Sequence, residues 1–151
     1  MSNYFDTSAF VKVYHREFGT DEVLTIYKSK SVMYISELCR IEFISTIEKK
    51  YRERTISYDT LRALLSKFQD DLENRYTVLK FSSLVIDEAE NLLKQYGKEY
   101  GLRTLDSLQF AFLTTYCDKR THFVCCDSTL NHLVKMEEYT VINPEQDNKS
   151  Q

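Results

Sequence analysis

One proline and three glycines in 151 residues leave this chain almost without the residues that interrupt regular structure. Long irregular loops are therefore not expected, and helices should be many. No apolar stretch approaches the roughly 18 residues that cross a bilayer, and the N-terminus carries no basic-then-apolar leader. The chain thus reads as soluble and cytoplasmic, with no membrane contact. Histidine is scarce: His15, His122 and His132 stand apart, and the four cysteines form no C-x-x-C pair. That leaves no zinc set. Cys125 and Cys126, adjacent in an apolar run, read as buried thiols in a reducing compartment. A net charge of −3 weighs against coating nucleic acid by bulk electrostatics, although a local basic strip stays open.

What is present is globular. A hydrophobic fraction of 42% separates the chain from disordered sequences, and its length suits one domain with its own core. Short apolar runs alternate with helical patterns. Strands are expected at 3–5, 32–35, 76–81, 122–126 and 139–142. Helices are expected at 9–18 (stopped by Gly19), 20–29, 37–54, 57–74, 83–100, 104–117 and 129–136. The helices at 37–54 and 57–74 form a hairpin. From Pro144 on, "PEQDNKSQ" reads as a flexible tail, so the folded domain spans 1–143 and the tail 144–151. Strands alternating with helices imply an α/β fold with a mainly parallel sheet covered on both faces.

Two stretches share a pattern. "YFDTS" (Tyr4–Ser8) and "CCDST" (Cys125–Thr129) each end an apolar run with an aspartate and two hydroxyls. Either the aspartates cap helices, or both reach one site. Open parallel sheets place their reactive crevice at the carboxyl ends of the strands, which is where Asp6 and Asp127 fall. Glu42 lies at the edge of the apolar stripe of its helix, with small Ser45 and Thr46 one turn on. Asp106 stands in the first turn of an apolar helix, "TLDSLQFAFLTTYC". A carboxylate buried there is costly unless it is paired or bound to a cation, and only Arg103 is near in sequence. Brought together, four carboxylates repel, and a divalent cation removes the conflict. Oxygen donors suit Mg²⁺ or Mn²⁺. With metal bound, an acidic pocket attracts a phosphodiester and lowers the pKa of an attacking water.

"NYFDTSAFVKVY", "SELCRIEFISTIEKKY", "YGLRTLDSLQFAFL" and "HFVCCDSTLNHL" together resemble PIN-domain proteins, especially the toxin half of VapBC-type toxin–antitoxin pairs. The resemblance runs from about Asn3 to Asn143. It implies a three-layer α/β/α fold and a metal-dependent endoribonuclease. On that resemblance Asp6, Glu42, Asp106 and Asp127 are the catalytic metal ligands, and Thr7 or Ser8, preferably Ser8, is the supporting hydroxyl. Two departures stand out. Ser128 and Thr129 occupy the place where some members carry a further acid, which puts a second metal in doubt. The aromatic "FAFL" replaces smaller residues.

The expected reaction is in-line hydrolysis of RNA that leaves 5′-phosphates. Arg40 and the strip Lys49, Lys50, Arg52 and Arg54 are the candidate phosphate contacts. A small antitoxin covering the acidic crevice and a homodimer are the partners the resemblance implies. Two rival readings use the same residues. One is a non-catalytic binding or scaffold module. The other is a phosphatase with Asp6 as nucleophile, which the serine at position 8 disfavours, because such enzymes often need a second aspartate there.

Overall fold

The computed structural model describes residues 1–146. Five strands, β1 (Ser2–Phe5), β2 (Val32–Ser36), β3 (Thr77–Leu79), β4 (His122–Val124) and β5 (Val141–Ile142), form one sheet in the order β3-β2-β1-β4-β5. Every pairing is parallel. Successive side chains of a strand face opposite ways, so each strand feeds two cores. Tyr4 and Phe123 pack into one and Phe5 and Val124 into the other.

The first core lies under α5 (Ser83–Tyr100), α6 (Thr104–Tyr116) and α7 (Ser128–Met136). The second lies under α1 (Thr7–Phe10), α2 (Thr20–Lys28), α3 (Glu37–Arg52) and α4 (Tyr58–Asn74). The result is the expected α/β/α arrangement in three layers, with a wholly parallel sheet. The chain reverses direction across the sheet between β1 and β4, and in this fold class the crevice opens at that reversal. Among the described residues no helix is long and apolar enough to cross a membrane.

Several boundaries differ from those read in the sequence. The first helix, expected to run to Phe18, gives way after Phe10 to a 3₁₀ turn, Val11–Val13. Two inward contacts accompany the change. Lys12 Nζ reaches Glu145, and the Tyr14 hydroxyl donates to Asp71 Oδ2 at 2.7 Å. Phe18 is left exposed. The third strand ends at Leu79 because the Phe81 amide turns aside to donate to Glu37 Oε2 at 2.7 Å. The fourth ends at Val124, and the Cys126 amide donates instead to Ser8 Oγ at 3.1 Å.

Aromatic packing fixes the helical hairpin. Phe43 of α3 stacks at a tilt on Phe68 of α4, with ring centroids 4.2 Å apart, and meets Phe10 edge-on at 5.6 Å. Asp71, buried beneath α2, accepts from Tyr14 and Tyr27 and pairs with Lys67, so α4 is also tied to α2. The tail expected at 144–151 lies outside the described residues from position 147 on. Before that, Pro144 is buried and Glu145 pairs with Lys12, so the first residues of that stretch are docked.

Gly19 makes that docking possible. It caps α2 in a left-handed conformation (φ 87°), and a Cβ there would sit 2.7 Å from the Pro144 carbonyl oxygen. Gly19→Ala is therefore expected to destabilise the fold by more than about 1 kcal/mol, a fall of at least roughly 2–4 °C in Tm. Thermal unfolding by circular dichroism checks it, and an unchanged Tm would contradict the packing described.

Candidate active site

Asp6 leaves β1 at its carboxyl end and Asp127 follows β4 one strand away. Both aspartates cap helices, and both also line one cleft. Asp6 caps α1: its Oδ2 accepts from the Ser8 amide at 3.1 Å and the Ser8 hydroxyl at 2.6 Å. Asp127 caps α7 by accepting the Leu130 amide on Oδ1 at 2.7 Å. Each aspartate commits one oxygen to its helix. The other has no hydrogen bond among the described residues. Capping thus fixes the direction of each carboxylate while leaving half of it for a ligand.

Glu42 and Asp106 complete the group. The four acids line one cleft of about 460 Å³ with Thr7, Ser8, Thr46, Lys12, Glu17, Cys126 and Glu145. Thr7 Oγ1 donates to Glu42 Oε1 at 2.8 Å, so the two hydroxyls of "DTS" divide their work: Ser8 holds Asp6 and Thr7 holds Glu42.

The buried residue at the centre of this arrangement is Gln109, which the sequence reading passed over. Its Nε2 donates to Glu42 Oε1 at 2.8 Å and to Thr7 Oγ1 at 3.1 Å. Its Oε1 accepts from the hydroxyls of Tyr4 and Ser36. One amide therefore links α6, α3, α1, β1 and β2, and its side chain orients the glutamate. A single glutamine inside an apolar helix was the available signal, because a buried amide needs partners for both its ends.

The electrostatics follow from burial. Desolvation raises the pKa of Asp6, and hydrogen bonds from Ser8 offset only part of it. Burial likewise raises Glu42 against the bonds from Gln109 and Thr7, with the Asp6 charge adding to the shift. Asp106 is pushed up to about 6, first by burial and then by the charges of Asp127, Asp6 and Glu42; Arg103 counters weakly. No Lys or Arg lies within ion-pair distance of the four acids among the described residues. As placed, no three His, Cys, Asp or Glu side chains among those residues stand close enough to hold a metal ion together.

The basic candidates lie elsewhere. Lys50 turns toward the cleft, its Nζ 3.9 Å from Glu17 Oε2. Lys49 is exposed beside Glu53, and Arg52 and Arg54 line a shallow groove with Tyr51, Thr55, Ile56 and Ser57 at the hairpin turn. Arg40 lines a separate depression with Glu37, Ile41, Ile44 and Phe81. The cysteines are reduced. Cys125 is buried with Sγ 3.5 Å from Asp6 Oδ2, and burial raises its pKa; Cys126 is pushed up to about 11 for the same reason.

A carboxylate whose pKa is higher folded than unfolded contributes stability at low pH and loses it as pH rises through the window between the two values. For Asp106 that window runs from about 3.8 to about 6. The metal-free protein should therefore lose stability across this range. Asp106→Asn should recover on the order of 1 kcal/mol at pH 7.5, after discounting for partial exposure. Urea denaturation of both proteins at pH 5 and 7.5 in EDTA measures this. A variant no more stable than the parent at pH 7.5 would contradict the repulsion.

Comparison with known proteins agrees with this geometry. The PIN domain family model matches residues 4–120. No curated protein sequence matches the chain. Among solved structures, the chain is similar to a toxin–antitoxin complex from Klebsiella pneumoniae (TM-score 0.61, 15% identity, covering 95% of this chain and 98% of that one). It is also similar to VapBC2 from Rickettsia felis bound to a promoter DNA fragment (0.63, 15%, 95% and 98%). A third is FitAcB from Neisseria gonorrhoeae (0.65, 14%, 93% and 96%). With the parallel sheet, the acid-lined cleft at its reversal point and the family match over most of its length, this chain belongs to the PIN-domain family.

Proposed function

We propose that the protein is a Mg²⁺- or Mn²⁺-dependent endoribonuclease and the toxin of a VapBC-type toxin–antitoxin pair. The observation that carries this reading is the gathering of Asp6, Glu42, Asp106 and Asp127 in one cleft without a neutralising cationic side chain among the described residues. The donor set fits the ion. It is all oxygen, and each carboxylate keeps at least one oxygen free of protein hydrogen bonds among those residues. When bound, the cation draws a phosphodiester into an otherwise repelling pocket and lowers the pKa of an attacking water.

The residues around it do the positioning. Ser8 fixes the Asp6 carboxylate, while Thr7 and Gln109 fix Glu42, so these two ligands are held before substrate arrives. The strip Lys49, Lys50, Arg52 and Arg54 at the end of α3 offers phosphate contacts that set register along an RNA strand, with Arg40 farther off. An antitoxin segment seated in the cleft would keep the enzyme silent. Exposed Ile41, Ile44 and Phe81, which line one depression, would supply an apolar face for a homodimer. A soluble, cytoplasmic setting fits this role.

The spread of the acids favours one second reading, a PIN scaffold that binds without turnover. Purified protein incubated with a mixed RNA pool separates the two. Discrete cleavage with Mn²⁺ or Mg²⁺, none with EDTA, 5′-phosphate ends, and a loss of at least roughly 100-fold in Asp6→Asn are expected. Equal cleavage by parent and Asp6→Asn would overturn the assignment.

A further inference from the structure

Lys12 is an ammonium group on the wall of the acidic cleft, and the four acids do not account for it. Its side chain is 4% exposed, yet it bonds to none of Asp6, Glu42, Asp106 or Asp127. Its Nζ instead lies 2.7 Å from Glu145 Oε1 and 3.3 Å from Glu17 Oε1. Glu17 is shared, since its other oxygen faces Lys50 at 3.9 Å. Glu145 is different: among the described residues its carboxylate serves Lys12 alone, and its side chain is 41% exposed.

Glu145 belongs to a short turn just after the sheet. The Gln146 amide donates to the Asn143 carbonyl at 3.1 Å, and the Glu145 amide to Asn143 Oδ1 at 3.0 Å. The preceding Pro144 packs on Gly19. The turn thus lays an exposed carboxylate over a buried cation, in a cleft that otherwise repels anions. A carboxylate on an ammonium has the charge and acceptor geometry of a phosphate oxygen on the same group. Burial disfavours the Lys12 charge, but the bond to Glu145 and the charge of Glu17 outweigh it and raise its pKa. The group is a cation ready for an anionic ligand.

We infer that Lys12 receives a backbone phosphate of the RNA substrate, and that Glu145 occupies this position in the free protein as an internal competitor. The inference rests on the ribonuclease reading. It assigns a phosphate contact inside the cleft rather than on the α3 strip, and it gives residues 143–146 a part in setting substrate affinity. Binding RNA exchanges the Glu145 carboxylate for a phosphate oxygen, and no covalent bond changes.

The test is binding of a fluorescein-labelled, mixed-sequence single-stranded RNA 20-mer, followed by anisotropy with Ca²⁺ in place of Mg²⁺ to keep the strand uncut. Glu145→Gln should bind roughly three- to tenfold tighter, and Lys12→Ala roughly tenfold weaker. Lys12→Arg should stay within about twofold of the parent because it keeps the charge. The salt dependence of Lys12→Ala should be shallower by about 0.7 in the log–log slope, one single-strand phosphate contact. The double variant decides the matter. In the Lys12→Ala background, Glu145→Gln should give no gain, whereas a gain there would mean general charge repulsion and overturn the proposal. Lys12→Met, which keeps the buried stem, replaces Lys12→Ala if that variant unfolds.

Cleavage of the same strand with Mg²⁺ is measured in parallel. The expected binding pattern without cleavage would retain Lys12 and sink the nuclease reading. Cleavage with RNA affinity indifferent to Lys12 would do the reverse. No RNA binding by the parent would sink both.

Discussion

The structure depends on an electrostatic conflict that it does not resolve by itself. Four carboxylates line one cleft where the parallel sheet reverses direction, and among the described residues no Lys or Arg lies within ion-pair distance of them. Three have raised pKa values, with burial the largest cause in each. Asp6 is buried and Glu42 and Asp106 are half-buried, and a carboxylate drawn out of water without a charged partner costs stability. On the proposed function, a cation held by these acids would offset that cost. Topology makes the convergence unavoidable: β1 and β4 are neighbours, so the residues after them, Asp6 and Cys125–Asp127, share one edge.

The surrounding structure makes that conflict usable. Asp6 and Asp127 each cap a helix with one oxygen, and the other, without a hydrogen bond among the described residues, stays open in the cleft they line. Gln109 joins five elements behind Glu42, and the edge-on packing of Phe43 on Phe10 and its tilted stack on Phe68 hold the helix that carries it. The acids are therefore displayed on regular elements rather than on long loops. That arrangement follows from a sequence so poor in glycine and proline.

Much of this was legible because it rests on local pattern. Alternating apolar runs and helical periods gave the layers, and strand ends pointed to Asp6 and Asp127. Asp106 was reached by a burial argument and Glu42 by its place at the edge of an apolar stripe beside small residues, and the structure brings both to the cleft. What escaped depends on partners distant in sequence. Gln109 looked like filler in an apolar helix, although its four hydrogen-bond partners lie on other elements. Nothing in its local sequence marks Lys12 for burial, and its partner Glu145 lies 133 positions away. The same contact orders Glu145, which composition placed in a frayed tail. The basic strip shows the converse limit: helical phase separates Lys50, facing Glu17, from Arg40, two positions before Glu42 and on another surface.

The central proposal is that the four acids of the cleft together bind a divalent cation. Calorimetric titration of the metal-free protein with Mn²⁺ at pH 7.5, beside Asp6→Asn and Asp127→Asn, tests it most directly. Saturable binding by the parent, weakened at least roughly tenfold in both variants, is the predicted result. Absence of Mn²⁺ binding, or binding that both variants retain at full strength, would contradict the account.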